Sequence, residues 1–237
     1  AGYVLTGSEY LTVFNGETGK AMATIDYTPG RGKVDDWGDG YGNRVDRFLA
    51  GTAYLNGTTP SVVMCRGYYT RAVLAAYDWD GTTLSKRWVF DSNNGNTNYA
   101  GQGNHNLSVG DVDGDGKDEI VYGSCCIDDD GTGLYSTGMG HGDAMHLSDF
   151  LPDRPGLEMW QCHESPPYGC TLTDAASGRI LFRYEADKDT GRCAAGNIWA
   201  GNDGGEFWGS RGAGLYNGSG NVVSSGSGAA VNFLTYW

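Results

Sequence analysis

Asp111-Val112-Asp113-Gly114-Asp115-Gly116-Lys117-Asp118-Glu119 is followed at once by Ile120-Val121-Tyr122. Carboxylates at alternate positions 111, 113 and 115 let a short loop curl its oxygens around one hard cation. The spacing matches the opening of a calcium loop of the EF-hand kind, which needs a bidentate glutamate at its twelfth position and a helix after it. Here the twelfth position is Tyr122, inside a β-branched, apolar run. The loop therefore feeds a strand, with Glu119 or the Lys117 carbonyl completing the shell. Three carboxylates this close repel one another unless a cation neutralises them, which argues against an acidic turn that binds nothing.

The surrounding composition agrees with a strand protein. Forty glycines, fifteen tyrosines and seven tryptophans in 237 residues describe short strands joined by tight turns. No segment sustains an apolar period of 3.6 residues, so almost no helix is expected. The formal charge of −13 argues against a nucleic-acid partner, whose phosphates demand a basic face. It suits a protein that holds several divalent cations. No run of about twenty apolar residues is present, so no membrane partner is expected. Ala1-Gly2-Tyr3-Val4-Leu5 and Val231-Asn232-Phe233-Leu234-Thr235-Tyr236-Trp237 both read as strand interiors, as though cut from a longer parent.

Two patterns recur. One is a hairpin whose turn carries Asp or Asn with a following Gly: Val13 to Lys20, Ala76 to Thr82, and Leu172 to Arg179. The other is a strand, a loop and a second apolar strand: Phe48 to Met64, Leu107 to Gly123, Leu147 to Trp160, and a weaker copy from Ile198 to Ser210. Centres roughly forty to sixty residues apart fit β-propeller blades of four strands each. The fold expected is all-β: a partial propeller of about four antiparallel blades over residues 1–237. An unclosed ring leaves edges bare, so further blades from a parent chain or a second copy are expected to complete it.

Six cysteines stand at 65, 125, 126, 162, 170 and 193, and sequence does not choose among their fifteen pairings. The spacing favours Cys162 with Cys170, across the turn Pro166-Pro167-Tyr168-Gly169, whereas vicinal Cys125 and Cys126 are expected to face opposite sides. Without a C-x-x-C pair or matching histidine spacing, zinc is disfavoured.

All four histidines fall between positions 105 and 163, near acids. Imidazole and carboxylate can share a metal shell, although calcium prefers oxygen. Asp35 to Arg47, Arg66 to Arg71 and Asp189 to Cys193 mix charge, aromatic rings and glycine. Each reads either as a solvated connection or as a ligand-facing loop. No G-x-S-x-G elbow and no H-E-x-x-H motif is found, which points away from acyl-transfer hydrolysis.

Taken together, Trp37-Gly38-Asp39, Asn43 to Gly51, Arg66 to Arg71, Gly103-Asn104-His105, Asp111 to Glu119 and Gly140 to Ala144 resemble the secreted rhamnogalacturonan lyases of bacteria, from end to end of the chain. The resemblance implies an extracellular enzyme, the central part of an eight-bladed propeller of roughly twice this length or more. It implies cleavage of the rhamnogalacturonan I backbone of pectin by β-elimination at galacturonate, with calcium as cofactor. It also implies one calcium neighbourhood from His105, Asp111, Asp113, Asp115, the Lys117 carbonyl and Glu119, and another from His141, Asp143 and Glu164. Arg192 resembles an active-site arginine, Arg44, Tyr68 and Arg71 are cleft candidates, and a lysine and a tyrosine are expected beyond Trp237. The competing reading is a non-catalytic calcium propeller that adheres to glycans or proteins. A glycoside hydrolase would need a close pair of catalytic carboxylates, and the patterned acids here already serve as metal ligands.

Overall fold

The structure is a computed structural model that describes residues 2–225 together with Ala230 and Val231. A hairpin of β1 (Tyr10–Phe14) and β2 (Ala21–Asp26) precedes four antiparallel sheets of four strands each. The first sheet holds β3 (Phe48–Ala53), β4 (Ser61–Arg66), β5 (Val73–Trp79) and β6 (Leu84–Asp91). The second holds β7 (Gly103–Gly110), β8 (Glu119–Gly123), β9 (Cys125–Ile127) and β10 (Gly133–Ser136). The third holds β11 (Met145–Ser148), β12 (Glu158–His163), β13 (Gly169–Asp174) and β14 (Ile180–Glu185). The fourth holds β15 (Cys193–Gly196), β16 (Glu206–Gly209), β17 (Leu215–Tyr216) and β18 (Val222–Ser224). Helix is confined to two short 3-10 turns among the described residues, as the missing 3.6 period predicts.

Each sheet is an up-and-down meander, because every strand pairs with its neighbour in sequence. The predicted turns carry that topology. Asn15, Asp80 and Asp174 each fold a side-chain oxygen back onto backbone amides two or three residues ahead.

Both faces of a sheet are apolar, so the sheets stack and bury one core between each pair. Leu74, Phe90, Ile120 and Tyr122 fill the space between the first and second sheets. Val121, Met145 and Met159 lie between the second and third; Trp160, Leu172 and Phe207 lie between the third and fourth. Trp160 adds a direct tie, donating its indole N–H to the Trp208 carbonyl at 3.1 Å. The opening strands β3, β7, β11 and β15 run side by side, and Asn104 bridges Gly142 in parallel. Among the described residues no strand of the fourth sheet pairs with β1–β6, so no closed ring is present.

Three expectations change. Residues 2–5 lie outside any strand, the first beginning at Tyr10, and the strand expected at the other end falls, from Asn232 on, outside the described residues. The copy expected from Ile198 starts earlier, at β15, because the Ile198 and Trp199 amides are drawn into a loop around Glu206. Cys162 and Cys170 do face each other across β12 and β13, but all six cysteines are buried free thiols. The two thiols have different partners, Cys162 the Ala144 carbonyl and Cys170 the Tyr184 hydroxyl, and both lie beside the Cys193 thiol. Cys125 and Cys126 enter different cores, as expected of vicinal residues in a strand.

Candidate functional site

Where β7 begins, the segment leading into β11 passes close beside it. Glycine permits this approach. A Cβ on Gly142 would overlap the Cys162 carbonyl oxygen, and one on Gly103 would stand 2.7 Å from the Tyr122 ring. His141 crosses the gap, its Nδ1 2.6 Å from the Gly103 carbonyl. A carbonyl only accepts, so Nδ1 carries a proton there and Nε2 is the nitrogen left to face the cluster.

Nε2 faces carboxylates. His141 Nε2 lies 3.3 Å from Glu164 Oε2 and 3.7 Å from Asp143 Oδ1, is buried, and has no hydrogen-bond partner among the described residues. His105 Nε2 sits 3.4 Å from the same Asp143 oxygen and 2.9 Å from the Tyr69 hydroxyl. The other Asp143 oxygen accepts from Arg192 Nη1 at 2.7 Å. Asp143 is thus the hub. The neighbouring His141, with the His105 and Arg192 charges, holds its carboxyl below the usual range against the effect of burial. Burial pushes His105 below an ordinary imidazole, against the pull of Asp143.

Aromatic rings wall this cluster. Tyr68 is buried and stacks on His141 with an interplanar angle of 7°. Tyr69 lies beneath the Arg44 guanidinium, 4.6 Å from the ring centre, with Arg47 at 5.8 Å. Arg44 is held there by Asp39, whose carboxylate accepts from the Tyr41, Gly42 and Arg44 amides. Ligand atoms of His105, His141 and Asp143 all lie within 4.8 Å of one another. An unpartnered imidazole nitrogen aimed at two carboxylates fits a divalent cation, with the nitrogen share higher than calcium usually takes.

The acidic loop forms a second centre. Asp111 accepts from the Gly114 and Gly116 amides, Asp113 from Asp115, and Asp115 from Lys117. Glu119 is fully buried; its Oε2 accepts from the Val112 amide at 2.8 Å, and its Oε1 has no partner among the described residues. Burial, then the nearby Asp113 and Asp128 charges, pushes the Glu119 carboxyl up to about 7. Asp113, Glu119 and Asp128 converge within 4.8 Å, as do Asp115, Glu119 and Asp129. An all-oxygen set with one orphaned buried oxygen fits a calcium ion.

The structure regroups some candidates. His105 is part of the His141 cluster, not of the acidic loop, because six positions of extended chain separate it from Asp111 by about 20 Å. The contact seen for Lys117 is through its ammonium, 3.0 Å from Asp115 and 3.1 Å from Asp129, so the loop acids are partly neutralised from within. Arg71 is engaged elsewhere, paired with Asp91 at 3.0 Å and lying over Trp37. Tyr69 and Arg47 fall within the segments read as ligand-facing loops but are not singled out there, and Asp128 and Asp129 go unread. The Asp128-Asp129-Asp130-Gly131 run was a readable signal; Tyr69 was not, standing beside an equally plausible tyrosine.

The family model described as Rhamnogalacturonan lyase family 11, C-terminal domain, matches residues 1–237. The chain is 56% identical over 246 residues to the rhamnogalacturonan exolyase YesX of Bacillus subtilis (strain 168), covering 100% of this chain and 40% of that protein. It is 53% identical over 239 residues to the rhamnogalacturonan endolyase YesW of the same organism, covering 100% of this chain and 38% of that protein. The crystal structure of rhamnogalacturonan lyase YesW superposes with a TM-score of 0.94 at 53% identity, over 97% of this chain and 40% of that one. The chain therefore spans about two fifths of the length of these relatives.

Proposed function

The chain belongs to rhamnogalacturonan lyase family 11, as the C-terminal domain, and on that footing we propose that it forms part of a calcium-dependent lyase acting on rhamnogalacturonan I. The reaction is β-elimination at galacturonate in the pectin backbone. The observation that carries this reading is the Asp143 hub, which gathers His105, His141 and Arg192 beside aromatic faces.

The chemistry sets what such a site must do. A base takes the C5 proton of galacturonate, the C4–O bond breaks, and a C4–C5 double bond remains with no water consumed. The neighbouring carboxylate makes that proton poorly acidic until positive charge neutralises it. Arg192 is half-exposed and donates one edge to Asp143, leaving guanidinium N–H groups for a uronate carboxylate. A guanidinium stays protonated, so Arg192 acts by charge and orientation rather than as the base. Tyr69, flanked by Arg44 and Arg47, presents a face on which a sugar ring can stack. When bound by His141, Asp143 and Glu164, with His105 alongside, calcium supplies further positive charge beside the uronate.

Asp111, Asp113, Asp115, Glu119 and Asp128, with the Lys117 carbonyl, hold a second, structural calcium in this reading. The four sheets are consecutive propeller blades, supported by their stacked cores and adjacent opening strands. The remaining blades come from the parent chain or a second copy. A polymeric pectic substrate is met outside the cell, so the protein is secreted.

The test is the near-ultraviolet absorbance of unsaturated uronide. The intact lyase carrying this domain, given rhamnogalacturonan I and calcium, produces it. Arg192→Ala lowers the rate about 10²-fold or more, the usual loss for one removed charge-stabilising donor. Substrate binding with no absorbance rejects the lyase reading in favour of adhesion.

A further inference from the structure

Three buried glutamates occupy one place in three successive sheets. Glu119, Glu158 and Glu206 are the first residues of β8, β12 and β16, and none is exposed. In each, Oε2 accepts from backbone amides of the preceding loop at 2.8–3.1 Å: Val112 for Glu119, Phe150 and Leu151 for Glu158, Ile198 and Trp199 for Glu206. The carboxylate latches the loop to its strand, and its second oxygen, buried, then needs a hydrogen-bond donor or a cation.

What faces that oxygen changes from loop to loop with the residue four positions before the glutamate. Before Glu206 this is Asn202, whose Nδ2 donates to Oε1 at 2.7 Å. Before Glu158 it is Arg154, whose Nε stands 3.4 Å from Oε1 as an ion pair with no hydrogen bond between them, while its other end pairs with Asp174. Before Glu119 it is Asp115, an acid, and there Oε1 has neither a hydrogen-bond partner nor an ion-pair partner among the described residues. The positions of Asp111 and Asp113 are likewise taken by Phe150 and Pro152 in the Arg154 loop, and by Ile198 and Ala200 in the Asn202 loop.

We propose that these loops are one repeated anionic socket, and that the residue four before the glutamate selects what fills it. Arg154 is a built-in substitute for a divalent ion at the β11–β14 sheet. Asn202 closes its socket as a neutral donor, and of the three only the Asp115 loop draws a divalent cation from solution. Charge explains the division. A single buried carboxylate is matched by one guanidinium or by an amide added to two backbone N–H groups, whereas four clustered carboxylates need a doubly charged ion. The part played by Asp115 rests on the calcium reading above; those of Arg154 and Asn202 stand without it.

The experiment compares melting temperature and bound calcium, counted by elemental analysis, in the intact lyase. Arg154→Met lowers the melting temperature by about 5 °C or more, and added calcium does not restore it. Arg154→Lys recovers much of the loss. Pro152→Asp together with Arg154→Asp binds one calcium more than the wild type, and its stability becomes calcium-dependent. The proposal is overturned if Arg154→Met melts like the wild type, whatever the double variant does. If Asp113→Ala leaves the calcium count unchanged, the calcium reading of the Asp115 loop fails, while the Arg154 result still decides whether a guanidinium fills the neighbouring socket.

Discussion

Arg192 donates to Asp143 at 2.7 Å although 49 residues separate them, joining the segment before β15 to the segment before β11. The contact ties the third and fourth sheets together at the cluster, and it sets the Arg192 guanidinium beside two imidazoles. Its strength is electrostatic, between a charged donor and a carboxylate held ionised by its neighbours.

Breaking this pair should therefore damage catalysis more than folding. Asp143→Asn keeps the shape but removes the charge that orients Arg192 and both histidines. The expected result in the intact lyase is a fall in kcat of about 10²-fold with the melting temperature nearly unchanged. A melting temperature that falls as steeply as the rate would make the pair structural instead.

Gly142 makes a sterically defined prediction. It stands against the Cys162 carbonyl with no room for a Cβ, so Gly142→Ala must push the His141–Asp143 segment away from β12. Calcium affinity at the cluster and lyase rate should both fall. Gly16→Ala, in open space at an ordinary backbone angle, is the control and should leave both unchanged.

His163 predicts the acid limb of stability. It is buried with Nε2 2.9 Å from the Thr171 hydroxyl, and burial, with the Arg183 charge adding, lowers it to about 4. A histidine depressed in the folded state stabilises fully above its unfolded value of about 6.5. That contribution, on the order of 3 kcal/mol, is lost as pH falls from about 6.5 through about 4. Urea midpoints measured from pH 7 to 4 should drop less steeply in His163→Gln than in the wild type.

Chelation tests the acidic loop. Excess chelator should lower the melting temperature markedly, and Asp113→Ala should reproduce most of that loss and remove further sensitivity to chelator. Identical melting curves with and without chelator would mean that Lys117 alone satisfies the loop.

Much of the fold was legible because its signals are local. Asn15, Asp80 and Asp174 announce their own turns through bonds two or three residues long, and the Asp111–Asp115 alternation announces its loop the same way. What stayed hidden depends on neighbours distant in sequence. The resemblance groups His105 with Asp111, six positions on, whereas extended backbone carries it to the opposite end of β7, beside His141. The latch role of Glu158 and Glu206 was equally unreadable, since their loops lack the acids that mark Glu119. Only superposing the three sheets shows the shared position.

The most direct measurement is a crystal of the intact lyase grown in calcium, with anomalous scattering used to locate the ions. The account predicts one ion touching His141 Nε2, Asp143 and Glu164, a second touching Glu119 Oε1 and the Asp113 carboxylate, and none beside Glu158. Water alone at both of the first two positions would contradict it.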